Sequence, residues 1–276
     1  MTSIVVTGAS GFIGQALSSN LVKKGAKIIR VSRSPFPGYY NVRNYFKTPI
    51  ADVLVHLAEV SDRQIVNRLG EVYASQSIDL AHFLASKGYS RIIYVSSGAV
   101  YGDSSASPHR EDEITQPYDV YTKSKLSCEK IFLDVGGLVV RLSNIYGPSM
   151  SQANVVSHIL KQMPLTGAVQ LKSDKPIRDF LWIQDVVEAI TEMSLVVVGE
   201  GIFNVASGVG TSIRQLCEMI LGICGQENRE IISTSSDATN SSNVLDISRT
   251  TAEFGWHPRI PLHSGLNRLI MERIHI

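Results

Sequence analysis

The chain has 276 residues, of which 44% are hydrophobic and 18% are charged, and its formal net charge is +1. This composition is ordinary for a globular protein with one large domain or two modest ones. The near-neutral charge gives no indication of a nucleic-acid partner. The longest apolar runs, such as 195–198, are far too short to span a bilayer, so no membrane partner is expected.

The cysteines point to a reducing compartment. Cys128, Cys217 and Cys224 are scattered along the chain and form no C-x-x-C pair. An odd number at such positions argues against a disulfide framework and against a thiolate metal site. The N-terminus enters an apolar strand pattern at once, without a basic segment before it, so no signal peptide is expected. We therefore predict a cytoplasmic protein without a bound metal.

A glycine-rich segment follows the first predicted strand. The β-branched run Ile4–Val6 leads into the segment 7–14, and a helical pattern follows. Strand, glycine turn and helix in this order are the context of a dinucleotide-binding site, where a diphosphate meets the free N–H groups of the helix. Gly8 would allow the tight turn, Gly11 the close approach of the diphosphate, and Gly14 the packing of helix on strand. Because the spacing is G-x-x-G-x-x-G, an ordinary strand-to-helix turn is the alternative.

The end of the second predicted strand bears on the choice of cofactor. The run 28–31 reads as a strand and is followed by Ser32, Arg33 and Ser34, with no acidic residue. A cofactor with a free ribose 2′-hydroxyl usually meets an Asp or Glu at this place, whereas an arginine suits a 2′-phosphate. NADP is therefore preferred over NAD. The alternative is that Arg33 merely lies on the surface.

Two further strand patterns lie at 52–58 and 91–95. The second runs into small residues that include Ser97, as expected at the carboxyl edge of a parallel sheet, where open α/β sheets bind ligands. The hydroxyl of Ser97 can hold a substrate oxygen. His56, near the end of the first strand, is either a catalytic base or a hydrogen-bonded histidine at a strand end.

The segment 121–125 contains a tyrosine and a lysine four positions apart. On a helix, Tyr121 and Lys125 would share one face. A nearby ammonium favours the phenolate and lowers its pKa from about 10. A pKa of about 7 requires roughly 4 kcal/mol of differential stabilisation. Taken alone, the pattern is equally that of a surface pair on an ordinary helix.

The remaining elements alternate between helix and strand patterns. Helical periods are found at 78–84, 155–163, 181–195, 213–220 and 264–273, strand patterns at 169–171 and 202–205, and loop compositions at 35–49 and 233–243. The alternation of strands and helices predicts an α/β fold with a Rossmann-type doubly wound parallel sheet and a smaller C-terminal α/β substrate lobe. We assign 1–148 and 177–207 to the dinucleotide-binding domain, and 149–176 and 208–276 to the substrate-binding lobe.

The chain resembles the extended short-chain dehydrogenase/reductase family, in its nucleotide-sugar epimerase, dehydratase and reductase branch. The segments that carry the resemblance are 7–14, 56–58, 95–102, 111–112, 121–125, 141–148, 178–180, 203–208 and 254–258. Each segment alone is a weak signal, but together and in this order they are specific and cover nearly the whole chain.

The resemblance implies roles for individual residues. Ser97, Tyr121 and Lys125 match the catalytic residues of the family, and Lys125 would also hold the nicotinamide ribose. Asn144 and Arg178 match residues that bind the substrate, the arginine at its diphosphate; turn chemistry and a surface ion pair with Asp179 are the respective alternatives. The implied cofactor contacts are Gly8, Ser10, Gly11, Phe12, Ile13, Gly14, Ser32, Arg33, Leu57, Ala58, Tyr121 and Lys125.

The chain departs from the family pattern at several places. Glu59 stands where a small residue is usual, the segment 71–77 lacks the usual Asn followed by Gly-Thr, and no Asp that would touch adenine is evident. Gly98 and Ala99 occupy the positions of the Asp-Glu pair that 4,6-dehydratases carry. Without that pair, the elimination of water lacks its general acid and general base, so a dehydratase is set aside.

We therefore expect an NAD(P)-dependent enzyme that reduces the 4-keto group of a nucleotide-diphosphate sugar. A 4-epimerase with retained NAD is the chief alternative, because it would use the same three catalytic residues. A non-catalytic NADP-binding regulator on the same fold is a less favoured one. The resemblance also implies a homodimer formed through helices such as the one that carries Tyr121.

Overall fold

The computed structural model describes residues 2–103, 107–196, 199–235 and 241–274. Its strands are β1 (Ser3–Thr7), β2 (Lys27–Ser32), β3 (Tyr40–Asn41), β4 (Val53–His56), β5 (Arg91–Ser97), β6 (Leu138–Leu142), β7 (Asn144–Tyr146), β8 (Val169–Leu171), β9 (Ile177–Trp182), β10 (Gly201–Val205), β11 (Gly210–Ser212), β12 (Ile231–Ser233) and β13 (Ser242–Asn243). Its helices are α1 (Phe12–Lys23), α2 (Arg63–Ala85), α3 (Val120–Leu133), α4 (Val155–Leu160), α5 (Ile183–Leu195), α6 (Ile213–Ile223), α7 (Ser248–Phe254) and α8 (Leu262–Ile274).

The main sheet has seven parallel strands in the order β10-β6-β5-β4-β1-β2-β3. Its central strands are rich in Val and Ile and are buried, as expected where helices cover both faces. The strand order reverses between β1 and β4. In a doubly wound sheet this reversal opens a crevice at the carboxyl ends of the strands, where ligands bind. The predicted Rossmann-type fold is confirmed.

Two hydrophobic clusters cover the faces of the sheet. Helices α1 and α5 lie together on one face, and their buried side chains belong to a large cluster that extends into the C-terminal half. Helices α2 and α3 lie together on the other face, with a smaller cluster built around Tyr94, Phe132 and Leu84. Burial of these side chains fixes both helix pairs against the strands, so the residues at the strand ends are held in a rigid frame.

Two small sheets lie outside the main sheet. In one, β9 pairs with β7, β11 and β13, and in the other β8 pairs with β12. Strand β9 thereby joins elements of both predicted domains, because β7 falls in 1–148 and β11 and β13 fall in 208–276. The division into 1–148 with 177–207 and 149–176 with 208–276 stays a prediction. Of the two strands within 177–207, β10 belongs to the main sheet and β9 does not.

Three helices differ from the sequence expectations. Helix α2 begins at Arg63, well before the predicted segment 78–84. Its first part was not predicted because Gly70, with φ of 67° and ψ of −154°, interrupts the helical period. Helix α5 begins at Ile183, since Leu181 and Trp182 belong to β9. Helix α7 was not predicted, because its seven residues SRTTAEF carry little apolar periodicity. Part of the predicted loop 233–243, residues 236–240, lies outside the described residues.

Neither a membrane-spanning helix nor a metal-binding cluster is present in the described ranges. In those parts of the chain, no helix is both long and apolar enough to cross a bilayer. The same residues contain no group of three or more His, Cys, Asp or Glu side chains placed to hold a metal ion.

Candidate active site

A cleft of about 600 Å³ opens at the carboxyl ends of the central strands, beside the strand-order reversal. It brings together most of the residues that the sequence singled out. Those lining it are Gly8, Gly11, Phe12, Ile13, Gly14, Leu57, Ser97, Tyr121, Lys125, Asn144 and Arg178. Four others, Ser10, Ser32, Arg33 and Ala58, lie outside this lining.

The glycine-rich turn has the shape that a dinucleotide requires. Gly8 has φ of +68°, and a Cβ there would lie 2.8 Å from the backbone of Leu57. A Cβ on Gly14 would lie 2.2 Å from the carbonyl oxygen of Gly8. Gly11 precedes α1 without a side-chain cap, and the first turn of the helix carries no acidic residue. The helix N-terminus can therefore receive an anionic diphosphate, and these residues fit the cofactor.

The end of β2 lies next to this turn. The hydroxyl of Ser32 donates to the hydroxyl of Ser10 at 2.8 Å, which ties the second strand to the glycine-rich turn. Arg33 is exposed, and its guanidinium lies 5.5 Å from the centre of the Tyr45 ring. This position is open to solvent, so its contact with a 2′-phosphate stays a prediction.

The start of α3 is fixed by a polar cluster that the sequence reading missed. Asp119 caps the helix and accepts the N–H of Thr122 at 2.9 Å, and its carboxylate also pairs with Arg63. Burial alone would raise the pKa of Asp119, but hydrogen bonds from Arg63, Thr122 and Asn67 lower it to about 2. Asn67 in turn accepts the N–H of Tyr121 at 3.0 Å. The D-x-x-T pattern at 119–122 was the available signal for this cap.

Tyr121 and Lys125 lie one helical turn apart on α3, and both are buried, at 8% and 7% exposure. The ammonium of Lys125 donates to the carbonyl oxygen of Val95 at 3.0 Å and lies 2.6 Å from Oε2 of Glu59. Burial lowers the pKa of Lys125, but the charge of Glu59 and its hydrogen bond contribute to more than offsetting burial, so the pKa lies above its usual range. Lys125 is therefore an ammonium at neutral pH.

Glu59 is part of this centre. Its side chain is 9% exposed, lines the cleft, and accepts the hydroxyl of Tyr94 at 3.0 Å and 3.1 Å on its two oxygens. Burial raises the pKa of Glu59, yet the charge of Lys125, with smaller effects of His56 and of these hydrogen bonds, holds it below its usual value. The sequence marked Glu59 only as a departure from the family, because its partners come from β5 and α3.

His56 lies behind the cleft rather than in its lining. Its Nδ1 is 2.7 Å from the hydroxyl of Thr7 on the adjacent strand β1. Burial lowers its pKa to about 4, although the charge of Glu59 acts in the opposite direction. A neutral, buried, hydrogen-bonded ring favours the structural interpretation of His56 over that of a catalytic base.

Ser97 ends β5 and caps a short 3-10 helix, and its hydroxyl oxygen accepts the N–H of Ala99 at 3.2 Å. Its O–H hydrogen therefore stays available for a ligand. The preceding residue, Ser96, donates to buried Glu129, whose carboxylate pairs with Arg141 at 2.6 Å. This buried network ties the end of β5 to α3 and β6.

The far side of the cleft carries Asn144 and Arg178, which come from the paired strands β7 and β9. The amide of Asn144 donates to the carbonyl oxygen of Asp179 at 3.2 Å. Arg178 pairs with Asp103 at 3.1 Å and not with its neighbour Asp179. Asp179 is buried and accepts the N–H groups of Ser207 and Gly208. The predicted alternative, an Arg178–Asp179 surface pair, is not what the structure contains.

Comparison with known proteins agrees with this architecture. Residues 4–206 match the NAD dependent epimerase/dehydratase family. The chain is 26% identical to a dTDP-4-dehydro-6-deoxyglucose reductase of Escherichia coli, over 97% of this chain and 96% of the relative. It is 25% identical to a UDP-glucose 4-epimerase of Mycolicibacterium smegmatis, over 96% of each. The structure of RMD from Pseudomonas aeruginosa complexed with NADPH superimposes with a TM-score of 0.85 at 26% identity, covering 99% of this chain and 98% of that one.

The chain belongs to the NAD dependent epimerase/dehydratase family. The predicted resemblance and the prediction of an enzyme from an NAD(P)-dependent family that acts on nucleotide sugars are therefore confirmed. The two relatives catalyse different reactions, a reduction and an epimerisation, at nearly equal identity.

Proposed function

We propose that the protein reduces the 4-keto group of a nucleotide-diphosphate 4-keto sugar, with NADPH preferred over NADH. The observation that carries the proposal is that one cleft is lined by the glycine-rich turn and by Ser97, Tyr121 and Lys125. A bound nicotinamide would supply the hydride. The protein has to supply a proton to the sugar oxygen and hold that oxygen in place.

In this proposal Tyr121 gives its phenolic proton to the carbonyl oxygen at C4. Ser97 donates a hydrogen bond to the same oxygen, which its free O–H allows. Lys125 places a positive charge one helical turn from the phenol and stabilises the phenolate left after transfer. The buried position of both side chains strengthens this interaction, because solvent screens it little.

The substrate side supports a nucleotide-diphosphate sugar. Arg178 lines the cleft, where its guanidinium pairs with Asp103. A planar guanidinium is the group that suits bidentate binding of a diphosphate. Asn144 lies in the same lining and is assigned to the sugar or its nucleotide. Several relatives act on dTDP-, UDP- or GDP-linked sugars. The preference for NADP rests on Arg33 and on the absence of an acid at the end of β2.

The test is turnover of purified protein with NADPH and a panel of dTDP-, UDP- and GDP-linked 4-keto sugars. We expect NADPH oxidation with at least one of them, and a loss of about a hundredfold or more in Tyr121→Phe, since a phenyl ring cannot give a proton. Tyr89→Phe is the matched control, because the hydroxyl of Tyr89 contacts Pro49 and does not line the cleft. Equal activity in wild type and Tyr121→Phe would refute the role of Tyr121.

The 4-epimerase alternative uses the same residues and a retained NAD. Incubation with UDP- and dTDP-sugars, without added cofactor, separates the two reactions. Interconversion of C4 epimers under these conditions would replace the reductase proposal with the epimerase. A relative named as a UDP-glucose 4-epimerase makes this the second candidate.

The third reading is a regulator that binds NADP without turnover. The cleft placement of Ser97, Tyr121 and Lys125 speaks against it, because a binding protein has no need of them. Binding of NADP without turnover of any nucleotide sugar would favour it. The proposed homodimer and cytoplasmic location rest on the family resemblance and on three free cysteines. Light scattering of the purified protein would test the dimer.

A further inference from the structure

Lys125 makes two contacts that leave little of its ammonium free. Its three N–H groups face Oε2 of Glu59 at 2.6 Å, the carbonyl oxygen of Val95 at 3.0 Å, and the open cleft. A buried ammonium loses the stabilisation that water gives it, and a carboxylate at this distance restores that stabilisation. Glu59 also carries the opposite charge into the pocket that contains Tyr121.

We infer that Glu59 is a positioning residue for the proposed reaction, which holds the Lys125 ammonium in place and keeps it charged beside Tyr121. The inference rests on the proposed proton transfer from Tyr121. In that reaction a charged Lys125 must lie beside the phenol when the keto sugar arrives. The carboxylate of Glu59, 2.6 Å from the Lys125 ammonium, favours that charged form.

The direction of the effect follows from charge alone. Burial disfavours the charged form of Lys125, and the carboxylate of Glu59 at 2.6 Å favours it. Without Glu59, burial is no longer offset by this charge, so Lys125 loses its proton at a lower pH.

Other titratable groups face this pair from each neighbouring element, and none replaces Glu59. They are His56 at the end of β4, Tyr73 on α2, Tyr94 on β5 and Cys128 on α3, with Glu129 on α3 beside Tyr94 and Cys128. Burial keeps His56 neutral, with a pKa of about 4, and raises the pKa values of the tyrosines and of Cys128. Glu129 is already paired with Arg141. Glu59 is thus the anionic partner of Lys125 among the described residues around it.

The decisive variant is Glu59→Gln, which keeps the shape and removes the charge. The protein without ligands is titrated by NMR of labelled lysine, with Lys125→Met as the reference. We expect Lys125 to lose its proton at a pH lower by on the order of one unit or more. This measurement does not depend on turnover, so a failure of the proposed function would leave the test intact.

Enzyme activity provides a second measurement. In Glu59→Gln, the alkaline limb of the pH profile of kcat/KM for keto reduction should move to lower pH by a similar amount. Asp134→Asn is the control, since it removes one exposed charge at the end of the same helix, where Asp134 pairs with Lys130. If Glu59 had a purely structural role, Glu59→Gln would lower the melting temperature and leave the Lys125 titration and the alkaline limb unmoved, and that result would overturn the inference.

Glu59→Asp provides a second test if the first variant does not fold. It keeps the charge but draws it back by one methylene, so a smaller shift in the same direction is expected. An unchanged or higher pH of proton loss in Glu59→Asp, with Glu59→Gln unfolded, would equally overturn the inference.

Discussion

The guanidinium Nη2 of Arg178 lies 3.1 Å from Oδ2 of Asp103, and both residues line the cleft. The proposed ligand of this arginine is a diphosphate, so the carboxylate of Asp103 competes with it and repels it. Asp103→Asn should therefore tighten the binding of UDP, used as a probe for the nucleoside diphosphate, by about fivefold, the factor expected for a partly exposed charge pair. Isothermal titration calorimetry measures the Kd.

The matched control is Asp112→Asn, in an exposed pair with Arg110 at 3.4 Å. This variant should bind UDP as the wild type does. Weaker binding by Asp103→Asn would show instead that Asp103 holds Arg178 in the orientation that the diphosphate needs.

Arg33 provides a test of cofactor choice. Its exposed guanidinium follows the strand end at which a ribose 2′-substituent is expected. Arg33→Ala should raise the Kd for NADP by about tenfold, because one charge-assisted contact with the 2′-phosphate is lost, and should leave the Kd for NAD nearly unchanged. Equal losses for both cofactors would mean that Arg33 supports the pocket without recognising the phosphate. Lys47→Ala, another exposed cation of this half, is the control.

Two Gly→Ala substitutions, one in the glycine-rich segment and one in α6, should have opposite effects on the free energy of unfolding. In Gly14→Ala the new Cβ would lie 2.2 Å from the carbonyl oxygen of Gly8, so the backbone must move. We expect a loss of about 3 kcal/mol in the free energy of unfolding, together with weaker cofactor binding. Gly222→Ala places a Cβ in open space within α6 and should stabilise the protein by about 0.5–1 kcal/mol. Urea denaturation measures both, and an unaffected Gly14→Ala would show that α1 can move away from β1.

His56 predicts a pH dependence of stability. Burial lowers its pKa from 6.5 to about 4, so below pH 6.5 the unfolded chain binds a proton that the folded protein does not. The resulting loss of free energy of unfolding is absent well above pH 6.5. It grows as the pH falls, by about 1.4 kcal/mol per pH unit, until the pH reaches about 4. His56→Asn should therefore flatten the decline of the free energy of unfolding between pH 6.5 and 5 by about 2 kcal/mol.

Urea denaturation of wild type and His56→Asn at a series of pH values measures this slope. Glu59 also contributes to the decline, because its depressed pKa makes the folded state lose stability as the pH falls. Most of that contribution is common to both proteins, because the charge of Lys125 lowers the pKa of Glu59 more than His56 does. His257→Asn, at an exposed position, is the control. Parallel curves for wild type and His56→Asn would contradict the prediction.

Much of the fold was readable from the sequence because it rests on local patterns. The β-branched runs at β1, β4 and β5 and the glycines that follow β1 predicted a Rossmann-type sheet. The four-residue spacing of Tyr121 and Lys125 placed both on one face of α3, as the structure has them. Helix α2 was predicted only in part because Gly70 breaks its period, and the short helix α7 gave no signal.

The sequence by itself determined the family, the glycine turn and the candidate residues of the site, since each depends on neighbours within a few positions. The tertiary structure decided how the charges are paired: Lys125 with Glu59 across 66 positions, and Arg178 with Asp103 across 75. Such pairs form only when the strand order of the sheet brings distant segments to one cleft. Their strength depends on burial, which a linear pattern of residues does not contain.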